Sequence, residues 1–96
     1  MKRYTEKFIY DVKENNITKK DREVLLDTLE YLMLNTSGLV KKAEFDIADF
    51  ADAGKKVKGY TLILDRLLRA SNMEQWQLTC IKDDEVKMVA QGQINW

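Results

Sequence analysis

The sequence has 96 residues, of which 45% are hydrophobic and 33% are charged, and its formal net charge is zero. This length fits one domain over residues 1–96, and the composition is that of a globular chain, which excludes a disordered or collagen-like one. The short apolar runs predict neither a transmembrane helix nor a signal peptide, and the single cysteine fits a cytoplasmic protein.

The first part of the chain predicts two helices. Thr5 is a suitable cap for a short helix from Glu6 to Glu14, within a helical extension over residues 1–17. The stretch from Thr18 to Asp21 is a variant of the capping box and opens a second helix, which carries leucines on one stripe and stops at residues 35–38.

The middle of the chain predicts a strand and two further helices, so that residues 18–73 form a helical core. Residues 39–45 are assigned to a short strand, and Asp46 to the cap of a brief helix from Ile47 to Ala53 that Gly54 ends. After a lysine-rich turn, a longer helix is expected over 58–73, with this inner stripe: Tyr60, Ile63, Leu64, Leu67, Leu68 and Ser71.

Residues 74–96 predict a β-hairpin, because apolar and polar residues alternate along both halves. The apolar residues of both strands are even-numbered, so paired positions must sum to an even number. A three-residue loop at 83–85 meets this condition. It pairs Lys82 with Val86, Cys80 with Met88 and Leu78 with Ala90.

No motif typical of catalysis is present. The chain lacks histidine, the commonest general base and metal ligand, and one cysteine cannot build a thiolate zinc site. The acidic residues 83–85 lack the glycine and the spaced ligands of a calcium loop, and there is no glycine-rich phosphate loop. We therefore predict no catalytic residue, no metal, no cofactor and no enzymatic activity.

The order of elements gives the fold class. The stretch Phe45–Gly54, followed by Tyr60, Leu64 and Leu67, resembles the winged helix-turn-helix superfamily over Gly38–Trp96. The resemblance implies an α+β fold of helices followed by a C-terminal hairpin, the wing, with an extra N-terminal helix. It also implies a third helix that faces DNA, although many members bind only protein. The sequence departs from the pattern in its lysine-rich turn and its acidic wing tip.

Charge is segregated along the chain, although it sums to zero. It is +3 over residues 1–22, −5 over 23–52, +4 over 53–72 and −2 over 73–96. The +4 segment holds the predicted third helix and favours a nucleic-acid interface. Its predicted contacts are Lys55, Lys56, Lys58, Arg66, Arg69 and Asn72. The acidic wing tip repels phosphates in a duplex groove, which favours single-stranded DNA, with Tyr4, Tyr10 and Trp96 as candidate stacking residues.

The short, neutral, proline-free chain is similar to winged-helix proteins from mobile elements and phages of low-GC bacteria. Some of these accompany a replicative helicase and bind single-stranded DNA. The resemblance implies a DNA-replication accessory protein with DNA and a helicase as partners. Two alternatives remain open: a protein-interaction module whose acidic stretch, residues 23–52, docks on a basic partner, and a dimeric transcription regulator.

Overall fold

The computed structural model describes residues 10–36 and 39–96. Its elements are β1 (Lys13–Glu14), α1 (Lys19–Asn35), β2 (Lys42–Asp46), a 3₁₀ turn (Ile47–Asp49), α2 (Ala51–Lys56), β3 (Thr61–Ala70), β4 (Met73–Lys82) and β5 (Glu85–Asn95). The strands form one antiparallel sheet in the order β1-β5-β4-β3-β2.

Both helices pack on the same face of this sheet. The buried strand residues are 62 and 64 of β3, 74, 76, 78 and 80 of β4, and 88, 90, 92 and 94 of β5, and their odd-numbered neighbours are partly exposed. Residues 67–70 at the end of β3 are exposed. Leu25, Leu29 and Met33 of α1 join the buried strand residues in one core, together with Ile47 and Val57 from the segment around α2. We call this side the covered face and the opposite side the open face.

Local capping signals set the starts of the helical segments. The Thr18 side chain accepts a hydrogen bond from the Asp21 backbone N–H at 3.1 Å, which confirms the predicted start of α1. The Asp46 carboxylate caps the 3₁₀ turn through the Ala48 N–H at 2.9 Å. Gly54 lies inside α2, so the prediction that it ends the helix is wrong.

The predicted winged helix is wrong, because a five-stranded antiparallel sheet dominates the fold. The segment 58–73, expected to be the third helix, forms β3 and the turn that follows it. Leu62 and Leu64 are fully buried and lie opposite Cys80 and Leu78 of β4. The apolar residues of this segment satisfy both a helical and a strand period: Tyr60, Leu62, Ile63, Leu64, Leu67 and Leu68. Pairing with β4 decides between the two periods, since local sequence does not.

The N-terminal prediction also changes. Lys13 and Glu14, expected at the end of the first helix, form β1 and lie opposite Val89 and Met88. Residues 10–12 form no helix either, so the predicted helix is wrong over 10–14. Its earlier part, up to residue 9, lies outside the described residues, as does Tyr4.

The β4–β5 hairpin has two of the three predicted pairs but a different turn, and the predicted pair of Lys82 with Val86 is wrong, because Lys82 lies opposite Glu85. Cys80 lies opposite Met88 and Leu78 opposite Ala90, as expected. The turn contains two residues, Asp83 and Asp84, whose φ angles of 54° and 59° are typical of a type I′ turn. The register shifts by one residue between Cys80 and Ile81, and this β-bulge reconciles the short turn with the even-numbered core.

Across the described ranges, α1 and α2 are both too short or too polar to span a bilayer.

Candidate functional site

The structure divides the predicted nucleic-acid contacts between two ends of the sheet. Lys55 and Lys56 form the last turn of α2 and Lys58 follows it, whereas Arg69 lies near the far end of β3. Because a strand rises about 3.3 Å per residue, Arg69 lies on the order of 25 Å from the start of β3. Asn72 is also at the far end, in the β3–β4 turn, where its carbonyl accepts from the Trp96 N–H at 2.8 Å.

Arg66 forms a largely buried ion pair with Glu74. Its side chain is 11% exposed, and its Nη1 atom lies 3.2 Å from Oε2 of Glu74. Its guanidinium carbon lies 5.3 Å from the centre of the Trp76 ring. The predicted contact between Arg66 and a phosphate would therefore require this cluster to open. Tyr10 and Trp96 are exposed.

The lysines near the start of β3 lie in a region of mixed charge. Lys82 of β4 is close to Gly59, and its amine lies 5.2 Å from the centre of the Tyr60 ring. Burial, together with the nearby carboxylate of Asp21, raises the pKa of Tyr60. The acidic turn residue Asp83 also acts on Tyr60, so cations and carboxylates alternate at this end.

A groove of about 450 Å³ lies between α1 and α2, and three aspartates and one lysine are among its lining residues. Its wall on the α1 side includes Val24, Asp27 and Tyr31. The opposite wall includes Asp49, Phe50 and Asp52, with Lys56 further along. We call this feature the α1–α2 groove.

Three carboxylates line the groove because three separate elements deliver them. Asp27 lies in the middle of α1, and Asp52 in the first turn of α2. Asp49 completes the capping box of the 3₁₀ turn, since its Oδ2 atom accepts from the Asp46 N–H at 3.4 Å. Within residues 10–36 and 39–96, no ion pair neutralises any of the three.

Aromatic rings supply the apolar part of the groove. Phe50 makes edge-on contacts with Tyr31, at 6.1 Å between ring centres, and with Phe45, at 5.7 Å. Phe45 and Phe50 pack against the core, whereas Tyr31 is 56% exposed. An exposed ring beside unpaired carboxylates is a suitable surface for a cation that also carries apolar groups.

Sequence reasoning identified the acidic stretch but not the groove. Glu23, Glu30, Glu44 and Asp46 belong to the same stretch, yet none of them lines the groove. Tyr31 and Phe50 were missed altogether. The spacing of Asp27 and Tyr31 at i and i+4 was the available signal, because it places both on one side of α1.

The described residues contain no group of three or more potential metal ligands. Comparison with known proteins gives no match: no family model fits the sequence, and no curated protein or solved structure is similar to it.

Proposed function

We propose that this protein is a protein-interaction module that binds a basic segment of a partner protein in the α1–α2 groove. The observation that carries the proposal is that Asp27, Asp49 and Asp52, from three separate helical elements, line one groove with aromatic walls. The sequence offered the same function as an alternative, a protein-interaction module that docks on a basic partner through residues 23–52. The proposal restricts the contact surface from that thirty-residue stretch to one groove.

The chemistry of the groove favours arginine in the bound segment. A guanidinium group is planar, donates two parallel hydrogen bonds to a carboxylate and stacks on aromatic rings. The groove offers carboxylates on both walls and, on the α1 wall beside Asp27, the exposed ring of Tyr31. Lysine satisfies the charge but provides neither the paired hydrogen bonds nor the stacking.

The distribution of charge makes nucleic acid the weaker candidate. The predicted cations are divided between two ends of β3, and Arg66 is paired with Glu74. Phosphates are repelled by the carboxylates of the groove. Binding to single-stranded DNA through Lys55, Lys56 and Lys58 is therefore retained as an outcome of the test below.

Fluorescence anisotropy tests the proposal with four labelled probes: a short arginine peptide, a lysine peptide of equal length, single-stranded DNA and duplex DNA. We expect the arginine peptide to bind most tightly, with affinity that falls as salt increases. Tighter binding to either oligonucleotide, or no binding to either peptide at low salt, would overturn the proposal.

A pair of double variants separates the groove from general electrostatic attraction. D27N/D52N removes two groove carboxylates, and we expect it to lower the affinity for the arginine peptide by about tenfold or more. E23Q/E30Q removes the same charge from α1 outside the groove and should change the affinity by less than about threefold. Equal losses in the two variants would show that the groove is not the binding site.

A further inference from the structure

The open face of the sheet has a charge pattern that is complementary to itself. The observed registers align five residues in a row across the five strands: Lys13, Val89, Thr79, Ile63 and Glu44. A basic residue stands at one flank of this row and an acidic residue at the other, with β-branched residues between them. Lys13 and Glu44 are both exposed, and the three central residues are partly exposed.

Glutamine amides occupy the next rows. The Gln91 amide donates to the Gln77 carbonyl at 3.0 Å, and the Gln75 amide donates to the Gln93 carbonyl at 3.3 Å. These bonds satisfy part of the hydrogen-bonding capacity of the amides. Residues 75, 77, 79 and 81 of the middle strand β4 are all uncharged, while the Gln77 row continues to Asp65 of β3 and Lys42 of β2, which lie 3.9 Å apart. Within the described residues, both helices pack on the opposite face of the sheet.

We propose that a second copy of this chain packs against the open face, with a two-fold axis parallel to β4. β4 is the middle strand of the sheet order β1-β5-β4-β3-β2, so this axis superimposes the face on itself. It places Thr79 opposite Thr79 of the second copy and Val89 opposite Ile63 of the second copy. Lys13 then lies opposite Glu44 of the second copy, and the same pair repeats at the other flank.

Charge selects this axis over the alternative. A two-fold axis perpendicular to the strands places Glu44 against Glu44 and Lys13 against Lys13, and such contacts are repulsive. The parallel axis gives two attractive pairs in one isologous interface. Two sheets packed in this way lie about 10 Å apart, and their strands cross at roughly 30°. This angle displaces Lys13 from Glu44 of the second copy at each flank, and the long side chains of the two residues can bridge the displacement.

The dimer is independent of the proposed function. The α1–α2 groove belongs to the covered side of the sheet, so a second copy on the open face leaves both grooves accessible on opposite sides of the assembly. Two grooves in one assembly would bind a partner with two basic segments more tightly than either groove alone when the linker between the segments spans both sides of the assembly.

Sedimentation equilibrium of the full chain tests the interface. We expect a reversible dimer, and we expect T79R to yield a monomer because it brings two cations together at the axis. Circular dichroism checks that this variant is folded. A monomer for the native chain at all accessible concentrations, or a dimer that a folded T79R retains, would overturn the proposal.

A charge exchange provides a second test that does not depend on the fold of T79R. K13E and E44K should each weaken the dimer by about tenfold, because each turns two attractions into repulsions. The double variant K13E/E44K restores opposite charges and should return to within about threefold of the native dissociation constant. D27N/D52N serves as the control and should leave the dissociation constant of the dimer unchanged. Failure of the double variant to recover would exclude this axis.

Discussion

Arg66 and Glu74 form an ion pair on the covered face of the sheet, where Nη1 of Arg66 lies 3.2 Å from Oε2 of Glu74. The Glu74 side chain is only 1% exposed, and its Oε1 atom has no hydrogen-bond partner within the described ranges. The carboxylate therefore depends on Arg66 for most of its compensation. Loss of one partner from a buried pair costs more than loss of both.

R66M should lower the free energy of unfolding by about 3–5 kcal/mol, because it leaves a buried carboxylate without its cation. The double variant R66M/E74L should recover most of this loss. Urea denaturation measures both. The control is K42M, which breaks the exposed pair between Lys42 and Asp65 at 3.9 Å and should cost less than about 1 kcal/mol. If R66M costs no more than K42M, the ion pair has no structural role.

Gly54 permits α2 to lie against the 3₁₀ turn that precedes it. A Cβ atom at this position would lie 2.9 Å from the Ala48 Cα and 3.1 Å from the Ile47 carbonyl oxygen, both of which are backbone atoms. G54A should therefore destabilise the protein by about 1–3 kcal/mol, although alanine is the better helix former. Thermal unfolding measures this cost.

The neighbouring variant K55A controls for helix propensity, because Lys55 is exposed in the same helix and should tolerate the change within about 0.5 kcal/mol. A displaced α2 also alters the α1–α2 groove, so G54A should lower the affinity for the arginine peptide as well. A G54A variant as stable as the native protein would show that α2 moves without penalty.

Because of Cys80, the stability of the protein should fall as the pH rises in the alkaline range. Burial raises the pKa of its thiol to about 12 from the ordinary value of 9.0. Above the ordinary value, the unfolded chain releases this proton while the folded chain retains it. The protonated thiol therefore makes its full contribution to the free energy of unfolding below pH 9.0. This contribution is lost as the pH rises toward about 12, by about 1.4 kcal/mol per pH unit.

Comparison with C80A isolates this effect from the other groups that titrate in the same range. The free energy of unfolding of the native protein should fall more steeply than that of C80A between pH ~8 and ~11. Urea denaturation at each pH gives the two curves. Parallel curves would mean that the thiol ionises equally in both states.

Elements with local signals were predictable from the sequence. Thr18 marks the start of α1 through a side chain that bonds three residues along the chain, and the pairs Cys80–Met88 and Leu78–Ala90 follow from strict alternation. β3 was not predictable, because its apolar residues fit two periods and its partner strand lies elsewhere in the sequence. The two residues of β1 are too few to form a pattern.

The candidate site was predictable only as a region of negative charge. Asp27 and Asp52 lie twenty-five positions apart, and their approach depends on how α1 and α2 pack on the same face of the sheet. Phe50 lines the groove only because it precedes α2 at this point of contact. Such tertiary placement leaves no trace in local spacing.

The position of β5 within the sheet affects how the chain folds during synthesis. β5 lies between β1 and β4, and α1 contacts it more extensively than any other strand. Translation produces α1 first and β5 only after β2, β3 and β4 are complete. Residues of β3, β4 and the segment around α2 already contribute to the core that covers α1, but the strand that α1 contacts most is still missing. Because most helical stability in proteins comes from tertiary packing, α1 reaches its full stability only after β5 has left the ribosome.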